Sequence, residues 1–223
     1  MLNSNNMLTH SEQLVPLWVK ILYTVFIIVL VPHYLRVYGP TNFLYFCDVA
    51  LFLTLASLWS ESALLASVSM VGILLPQLLW ILDFLGTIIN LPITGMTAYM
   101  FDSKISLFTR CLSFFHFWLP LFLLWLLSRL GYDKRAYLMW SVIALILLQV
   151  CYFYMPPPPA PPDKPGLPVN INYVFGPSDN HPQQWMNPNL YFLFMQFFLL
   201  FAVFWPTHIL LEKIFKPPAD SRG

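Results

Sequence analysis

Residues 41–59 read TNFLYFCDVALFLTLASLW, and only Ser60 and Glu61 separate them from residues 62–85, SALLASVSMVGILLPQLLWILDFL. Each stretch is close to the roughly 20 mostly apolar residues that cross a bilayer as a helix. A two-residue join leaves room for one arrangement, an antiparallel helical hairpin. Four further stretches have the same character. Residues 14–31 (LVPLWVKILYTVFIIVLV) stop at Pro32, which cannot continue helix hydrogen bonding. The others are 105–127, 136–154 and 190–211. The expected fold is therefore all-α: one polytopic transmembrane bundle of about six spanning helices, occupying the 223-residue chain as a single integral membrane domain.

Bulk composition agrees. Hydrophobic residues make up 58% of the chain and charged residues 9%, with a mean hydropathy of +0.67. A soluble domain carries about 25% charged residues, so most of this surface belongs in lipid. Aromatic residues reach 17%, in keeping with belts of Trp and Tyr at membrane interfaces. A net charge of +1 gives no basic face for nucleic acid. Cys47, Cys111 and Cys151 form no CxxC pair and lie in apolar segments, which reads as buried, inert thiols. Residues 1–13 contain no Lys or Arg and lead to no small-residue cleavage site, so the first apolar segment is expected to stay as a membrane helix rather than a signal peptide.

Between the spans, residues 86–104 are mixed and read as a loop or interfacial segment. Residues 155–168, MPPPPAPPDKPGLP, are a proline run suited to extended polyproline II. That loop continues to residue 188. The positive-inside bias orients the bundle. With both termini cytoplasmic, the inside holds Arg129, Lys134, Arg135, Lys213, Lys216 and Arg222, while the outside holds Arg36, Lys104 and Lys164. The Pro-rich loop 155–188 then faces outward, into the periplasm in a Gram-negative bacterium. This predicts a multi-pass protein of the inner (plasma) membrane.

Within or against the spans sit four ionisable residues: Asp48, Asp83, Arg110 and His116. A charge in hydrocarbon costs roughly 2.5–3.5 kcal/mol on insertion scales, so such residues usually face a bundle interior or water-filled cavity. The spans place Asp48 about 10 Å below the outer end of the second and His116 about 16 Å below that of the fourth. Asp83 and Arg110 lie at outer ends. One outward-facing polar cavity beneath the long loop would hold all four. Ser106, Thr109, Ser113 and His116, spaced 3, 4 and 3 apart, share one helical face that should meet protein or water. His116 is the natural general acid or base, with Asp48 as its partner. Arg110 suits a phosphate or carboxylate. Bland alternatives stand beside these: the Ser/Thr stripe as packing glue, Arg110 snorkelling or paired with Asp102, Asp83 capping a helix end, and His116 as a hydrogen-bonded core residue.

A second candidate is 170–177, NINYVFGP, where Asn172 and Tyr173 are placed to donate to a ligand from a lid, the alternative being a simple Asn-rich turn. His33 and His181 read as exposed loop or interface residues and His208 as lying near the inner end of the last span. No His, Cys or carboxylate spacing specifies a metal, and no cofactor motif is present: GxSxG, HExxH, a glycine-rich phosphate loop, GxxxG and a regular Arg series are all missing. Three functions follow from this pattern. One is lipid or acyl-chain chemistry in the cavity, with membrane lipids as partners. Another is a structural or accessory subunit docking a protein through the Pro-rich loop. A small-solute carrier is the third, for which only Pro76 and Pro120 hint at the broken helices transporters use.

The order of Asp48-Val49-Ala50-Leu51-Phe52, Leu75-Pro76, Trp80-Ile81-Leu82-Asp83, Tyr99-Met100-Phe101-Asp102, Phe115-His116, Leu119-Pro120 and Asn170 through Gly176 resembles an uncharacterised family of bacterial integral membrane proteins, over nearly the whole chain. The chain is also faintly similar to multi-helix membrane hydrolases and acyltransferases of the androgen-induced type, which act on lipids with a membrane-embedded histidine. That likeness implies such a role for His116, with Cys47 or Thr54 the nearest options for a nucleophile.

Overall fold

The computed structural model describes residues 14–164 and 166–218; Met1–Gln13 and Arg222, used above for the signal-peptide and charge-bias readings, lie outside the described residues. The described residues are helical with no strand, in the order α1 (Leu17–Val37), α2 (Phe46–Ser60), α3 (Ala63–Ile88), α4 (Leu107–Ser113), α5 (Phe115–Leu130), α6 (Ala136–Tyr154), α7 (Pro188–Phe198) and α8 (Trp205–Ile214). Helices α4 and α5 run on as one unit, and so do α7 and α8, joined through a π-helical segment, Leu199–Phe204. Five units are long and apolar enough to cross a membrane: Leu17–Val37, Ala63–Ile88, Leu107–Leu130, Ala136–Tyr154 and Pro188–Ile214. With α2, they make the six-helix all-α bundle that the hydropathy pattern predicts.

Three boundaries differ from the sequence reading. First, α1 does not stop at Pro32; it carries that proline inside and ends at Val37. In lipid a helix that broke early would leave backbone groups unpaired, so continuing past a proline costs less than ending at one. Second, α2 starts at Phe46, because Pro40–Leu44 forms a 3₁₀ turn and Tyr45 is extended. Its 15 residues rise only about 22 Å, short of a hydrocarbon core about 30 Å thick. Third, the last span is widened by the π segment directly before Pro206, whose missing N–H and bulky ring disturb the helix ladder.

Helix α3 is the centre of the bundle. In its most apolar stretch 61% of the residues are buried, against 33–44% in the other spanning units. It packs on α2, α5 and α6. Gly72 permits the closest of these approaches, since a Cβ there would collide with the fully buried ring of Trp140 on α6. Leu51 and Leu58 of α2, Met70 and Ile73 of α3, Leu119 and Leu123 of α5, and Phe204 complete the core.

The predicted α2–α3 hairpin is present and tight. Glu61 takes a left-handed conformation (φ 51°) and closes α2, while the Ser62 hydroxyl accepts from Leu65 N–H to start α3. The Glu61 carboxylate also accepts from Leu14 N–H (3.0 Å), Val15 N–H (3.3 Å) and Lys20 Nζ (2.7 Å), which ties the hairpin to the start of α1. At the same end, Gly131 (φ 88°) turns α5 into α6 and Tyr132 N–H donates to Lys216 O (2.8 Å). Both ends of the described chain thus share one end of the bundle. The segments 38–45, 89–106 and 155–187 gather at the other.

Partial burial pushes the Glu61 carboxyl up, but Lys20 and the two N–H groups outweigh it and hold it below the usual glutamate range. Asp133 is likewise held down, chiefly by its hydrogen bonds to Arg135. A carboxyl depressed in the folded state adds stability above its unfolded pKa of about 4, and that stability disappears as pH falls through the folded value. Thermal unfolding in detergent should therefore show a melting temperature that drops on acidification below about pH 4. Glu61→Gln should melt lower at neutral pH, with Lys20 left unpaired, and show a shallower acid decline; an unchanged acid slope would contradict the assignment.

Candidate functional site

At the loop-bearing end of the bundle, polar side chains from five elements turn inward. The serine–threonine face of the fourth span does meet protein. Thr109 Oγ1 contacts His33 Nε2 (2.8 Å) and Ser106 Oγ (2.8 Å), Ser113 Oγ contacts Tyr34 Oη (2.7 Å), and His116 Nδ1 contacts Gln77 Nε2 (3.0 Å). The stripe thus faces α1 near the loop-bearing end and α3 further along. His33, expected at an exposed position, is half-buried inside α1 because that helix continues past Pro32.

His116 is held by one ring nitrogen. As the amide is oriented, Gln77 donates and Nδ1 accepts, which puts the His116 proton on Nε2. The ring lies against Trp80 (centroids 5.2 Å) and Phe115 (4.1 Å). Gln77 and Trp80 were invisible to a search for ionisable residues, yet they form the wall of this site. The available signal was a glutamine directly after Pro76 in an otherwise apolar segment.

Asp48 is 2% exposed. Because α2 begins at Phe46, it sits in the first turn rather than seven residues deep, where the helix dipole favours a carboxylate. One of its oxygens, Oδ2, takes Asn42 Nδ2 (3.4 Å) and the Cys47 thiol (3.8 Å), both long contacts. The other, Oδ1, has no partner in the protein; nor do Gln77 Oε1, Trp80 Nε1 and Arg110 Nε, all buried. The Tyr99 hydroxyl lies close to Trp80, Ser113, Tyr38 and Cys47, and Tyr34 lies near Asp48, so Trp80 and the start of α2 have these tyrosines as common neighbours. No hydrogen bond joins Asp48 to His116.

Asp83 is different. It is fully buried, and loop 93–97 folds onto it. Oδ1 accepts from the N–H groups of Ile93 (2.8 Å), Thr94 (2.6 Å) and Gly95 (2.9 Å), and Oδ2 from Thr97 N–H (2.9 Å) and Thr97 Oγ1 (2.7 Å). With five donors satisfied, this carboxylate fixes the loop after α3 and has little left for a ligand. Arg110 donates from Nη1 to Met100 O (3.1 Å) and does not pair with Asp102, which instead caps Lys104 N–H.

Asn172 also has a structural occupation. Its Oδ1 accepts from Phe46 N–H (3.0 Å), one of the donors that the first turn of α2 leaves open, and its Nδ2 donates to Leu44 O (2.9 Å) and Cys151 Sγ (3.6 Å). It caps α2 from 126 residues away. Asn170, in the left-handed region (φ 49°), pins the loop by bonding Gly176 O, Ser178 O and Phe175 N–H. The Tyr173 carbonyl accepts from Tyr191 Oη (3.2 Å), and burial pushes its own phenol well above the usual tyrosine range. The segment is a fixed plug, not a swinging lid.

Cys151 is buried as expected, but Cys47 is half-buried and Cys111 is exposed, on the membrane-facing side of α4 away from Thr109 and Ser113. Thr54 Oγ1 donates to Ala50 O (2.7 Å), so neither Thr54 nor Cys47 is bonded to His116. At the far end His208, buried, contacts Tyr132 Oη through Nδ1 (2.7 Å). Among the described residues no three His, Cys, Asp or Glu side chains converge on a metal-sized site. Two clefts open on the surface, one of 360 Å³ around Pro177, His181 and Trp185 and one of 420 Å³ between α1 and α5; neither is lined by Asp48 or His116. No protein-family model, curated protein or solved structure matches the chain.

Asn172→Ala strands Phe46 N–H and Leu44 O in a buried setting, at a cost of about 1–3 kcal/mol. The variant should melt lower and expose 155–187 to protease faster than wild type; equal proteolysis rates would refute the plug.

Proposed function

We propose that the protein handles lipid in the membrane, taking the polar part of a lipid molecule into the core between α2, α3 and the α4–α5 unit. The observation that carries this reading is three of the five buried side-chain polar atoms without protein partners: the acceptors Asp48 Oδ1 and Gln77 Oε1, and the donor Trp80 Nε1. An unpaired polar group away from water costs free energy, so a ligand that completes such groups gains affinity; Arg110 Nε and Trp140 Nε1 are the other two unpaired atoms among the described residues. Two acceptors and one donor suit a hydroxyl or amine group of a lipid head, which can both donate and accept. Lipid reaches such a core laterally, and the rings of Trp80, Phe84 and Phe115 offer apolar walls for the chain attached to it.

If a bond is made or broken there, His116 is the acid–base group: one nitrogen is fixed by Gln77, which leaves the other to the substrate. Asp48, unbonded to His116, would act on a different atom of the same molecule. A deletion strain complemented with wild type should regain its lipid profile, while His116→Ala and Asp48→Asn should not. Full restoration by both variants would end this proposal.

A second reading, docking of a protein partner through the outer loop, is favoured by Trp185, which stands 64% exposed beside the 360 Å³ cleft of a loop held rigid from within. We place the protein in the inner (plasma) membrane, with the end carrying Arg129, Lys134, Arg135, Lys213 and Lys216 in the cytoplasm. Fluorescent-protein and alkaline-phosphatase fusions after Ile214 should then report a cytoplasmic C-terminus; phosphatase activity there would invert the orientation.

A further inference from the structure

The backbone of α1 packs mainly against α2 and the Pro40–Leu44 turn. Towards α5 it is held by ring contacts: Tyr23–Trp118 (5.9 Å), Phe26–Trp118 (5.1 Å) and Tyr23–Phe122 (5.5 Å). Large rings keep the two helices apart and leave the 420 Å³ groove between them, walled by Trp18, Leu22 and Phe26 on one side and by Trp118, Phe122 and Trp125 on the other. On α5, residues 118, 122, 125 and 129 follow steps of 4, 3 and 4, so Arg129 continues the same face one turn beyond Trp125.

Arg129 stands one turn past Trp125, beyond one end of this groove. Its Nε donates to Leu14 O (3.2 Å), which fixes the guanidinium beside the start of α1, one turn from Trp18. Its two terminal nitrogens have no protein partner among the described residues. Glu61, the acid bound to the first N–H groups there, is already matched by Lys20 at 2.7 Å. Lys134 follows in the adjoining turn, and among the described residues neither Arg129 nor Lys134 forms an ion pair.

We propose that this groove binds an anionic phospholipid, with one acyl chain lying along the rings and the phosphate on the Arg129 guanidinium. Both helices are spanning units, so hydrocarbon is what lies against the groove along its length, and a concave aromatic surface gains more contact from a single chain than a flat one. A guanidinium fork matches phosphate oxygens in pairs, and a basic group at this level attracts anionic headgroups. Trp18 and Trp125, near the same end, are the ring type that settles at the headgroup boundary. The site uses none of the residues of the polar core and stands or falls separately from it.

Three of the eight tryptophans line this groove, so their fluorescence reports on it. The protein would be reconstituted in phosphatidylcholine vesicles containing increasing mole fractions of phosphatidylglycerol or phosphatidylcholine brominated on the acyl chain. Brominated phosphatidylglycerol should quench at a mole fraction lower by about fivefold than brominated phosphatidylcholine. Arg129→Gln should bring the two curves together, Arg129→Lys should keep most of the preference, and Lys104→Gln at the opposite end should keep all of it. Trp118→Phe with Trp125→Phe should remove the phosphatidylglycerol-specific component. If Arg129→Gln is not monodisperse, competition in wild type decides: unbrominated phosphatidylglycerol should restore fluorescence better than unbrominated phosphatidylcholine. Equal quenching by both lipids, or a preference untouched by Arg129→Gln, overturns the site.

Discussion

Inside hydrocarbon there is no water to complete a hydrogen bond, so every backbone polar group of a spanning segment must find its partner within the protein. The shape of this bundle follows largely from how its prolines meet that demand. Pro32, Pro76, Pro120 and Pro206 lie within spanning units, and each removes one N–H and frees one carbonyl. Helices α1 and α3 absorb theirs without a break. Before Pro120 the chain tightens at Phe114, whose N–H is shared between Arg110 O and Cys111 O. Before Pro206 it widens into the π segment, and Thr207 Oγ1 returns a hydrogen bond to Val203 O (2.7 Å). Thr24, Thr54, Ser67, Ser69 and Ser141 use the same back-bond, which gives each hydroxyl proton an acceptor on its own helix; Thr24 and Ser67 also accept from Trp59 Nε1 and Asp133 N–H.

Helix α2 meets the demand in a different way. It is too short to span, so its first turn lies inside the bundle with open N–H groups. Asn172 supplies an acceptor from the long loop 155–187, and that loop is in turn knotted by Asn170. The loop therefore belongs to the membrane domain as a structural part. Asp83 does the converse: a side chain of α3 gathers the N–H groups of a loop that would otherwise have no partners.

What was legible in the sequence follows from this. The sixth helix, residues 136–154, falls where hydropathy places it because no proline or glycine interrupts it. The 3–4–3 spacing of Ser106, Thr109, Ser113 and His116 was enough to predict a protein-facing stripe, since helical period alone decides that. Pro32 misled because its meaning as a helix stop comes from chains that can end in water. Asp48 was placed too deep because hydropathy does not distinguish a 3₁₀ turn and an extended residue from a helix. Asn172 and Asp83 carried ligand readings because their real partners are backbone groups, and no residue type announces a returning N–H. Gln77 went unnoticed for being neutral.

The contrast between the two buried aspartates is the strongest guide to where function resides. Both are removed from solvent, and both lie at the loop-bearing end. Asp83 collects five short hydrogen bonds, as a carboxylate kept for architecture should. Asp48 has two long contacts on one oxygen and none on the other, and Gln77 and Trp80 of α3 also keep buried atoms without partners. The same chain built a complete donor set for one carboxylate within fourteen residues. Lack of means therefore does not explain the other. The unfinished bonding of Asp48, against the complete bonding of Asp83, is what the proposed lipid site is built on.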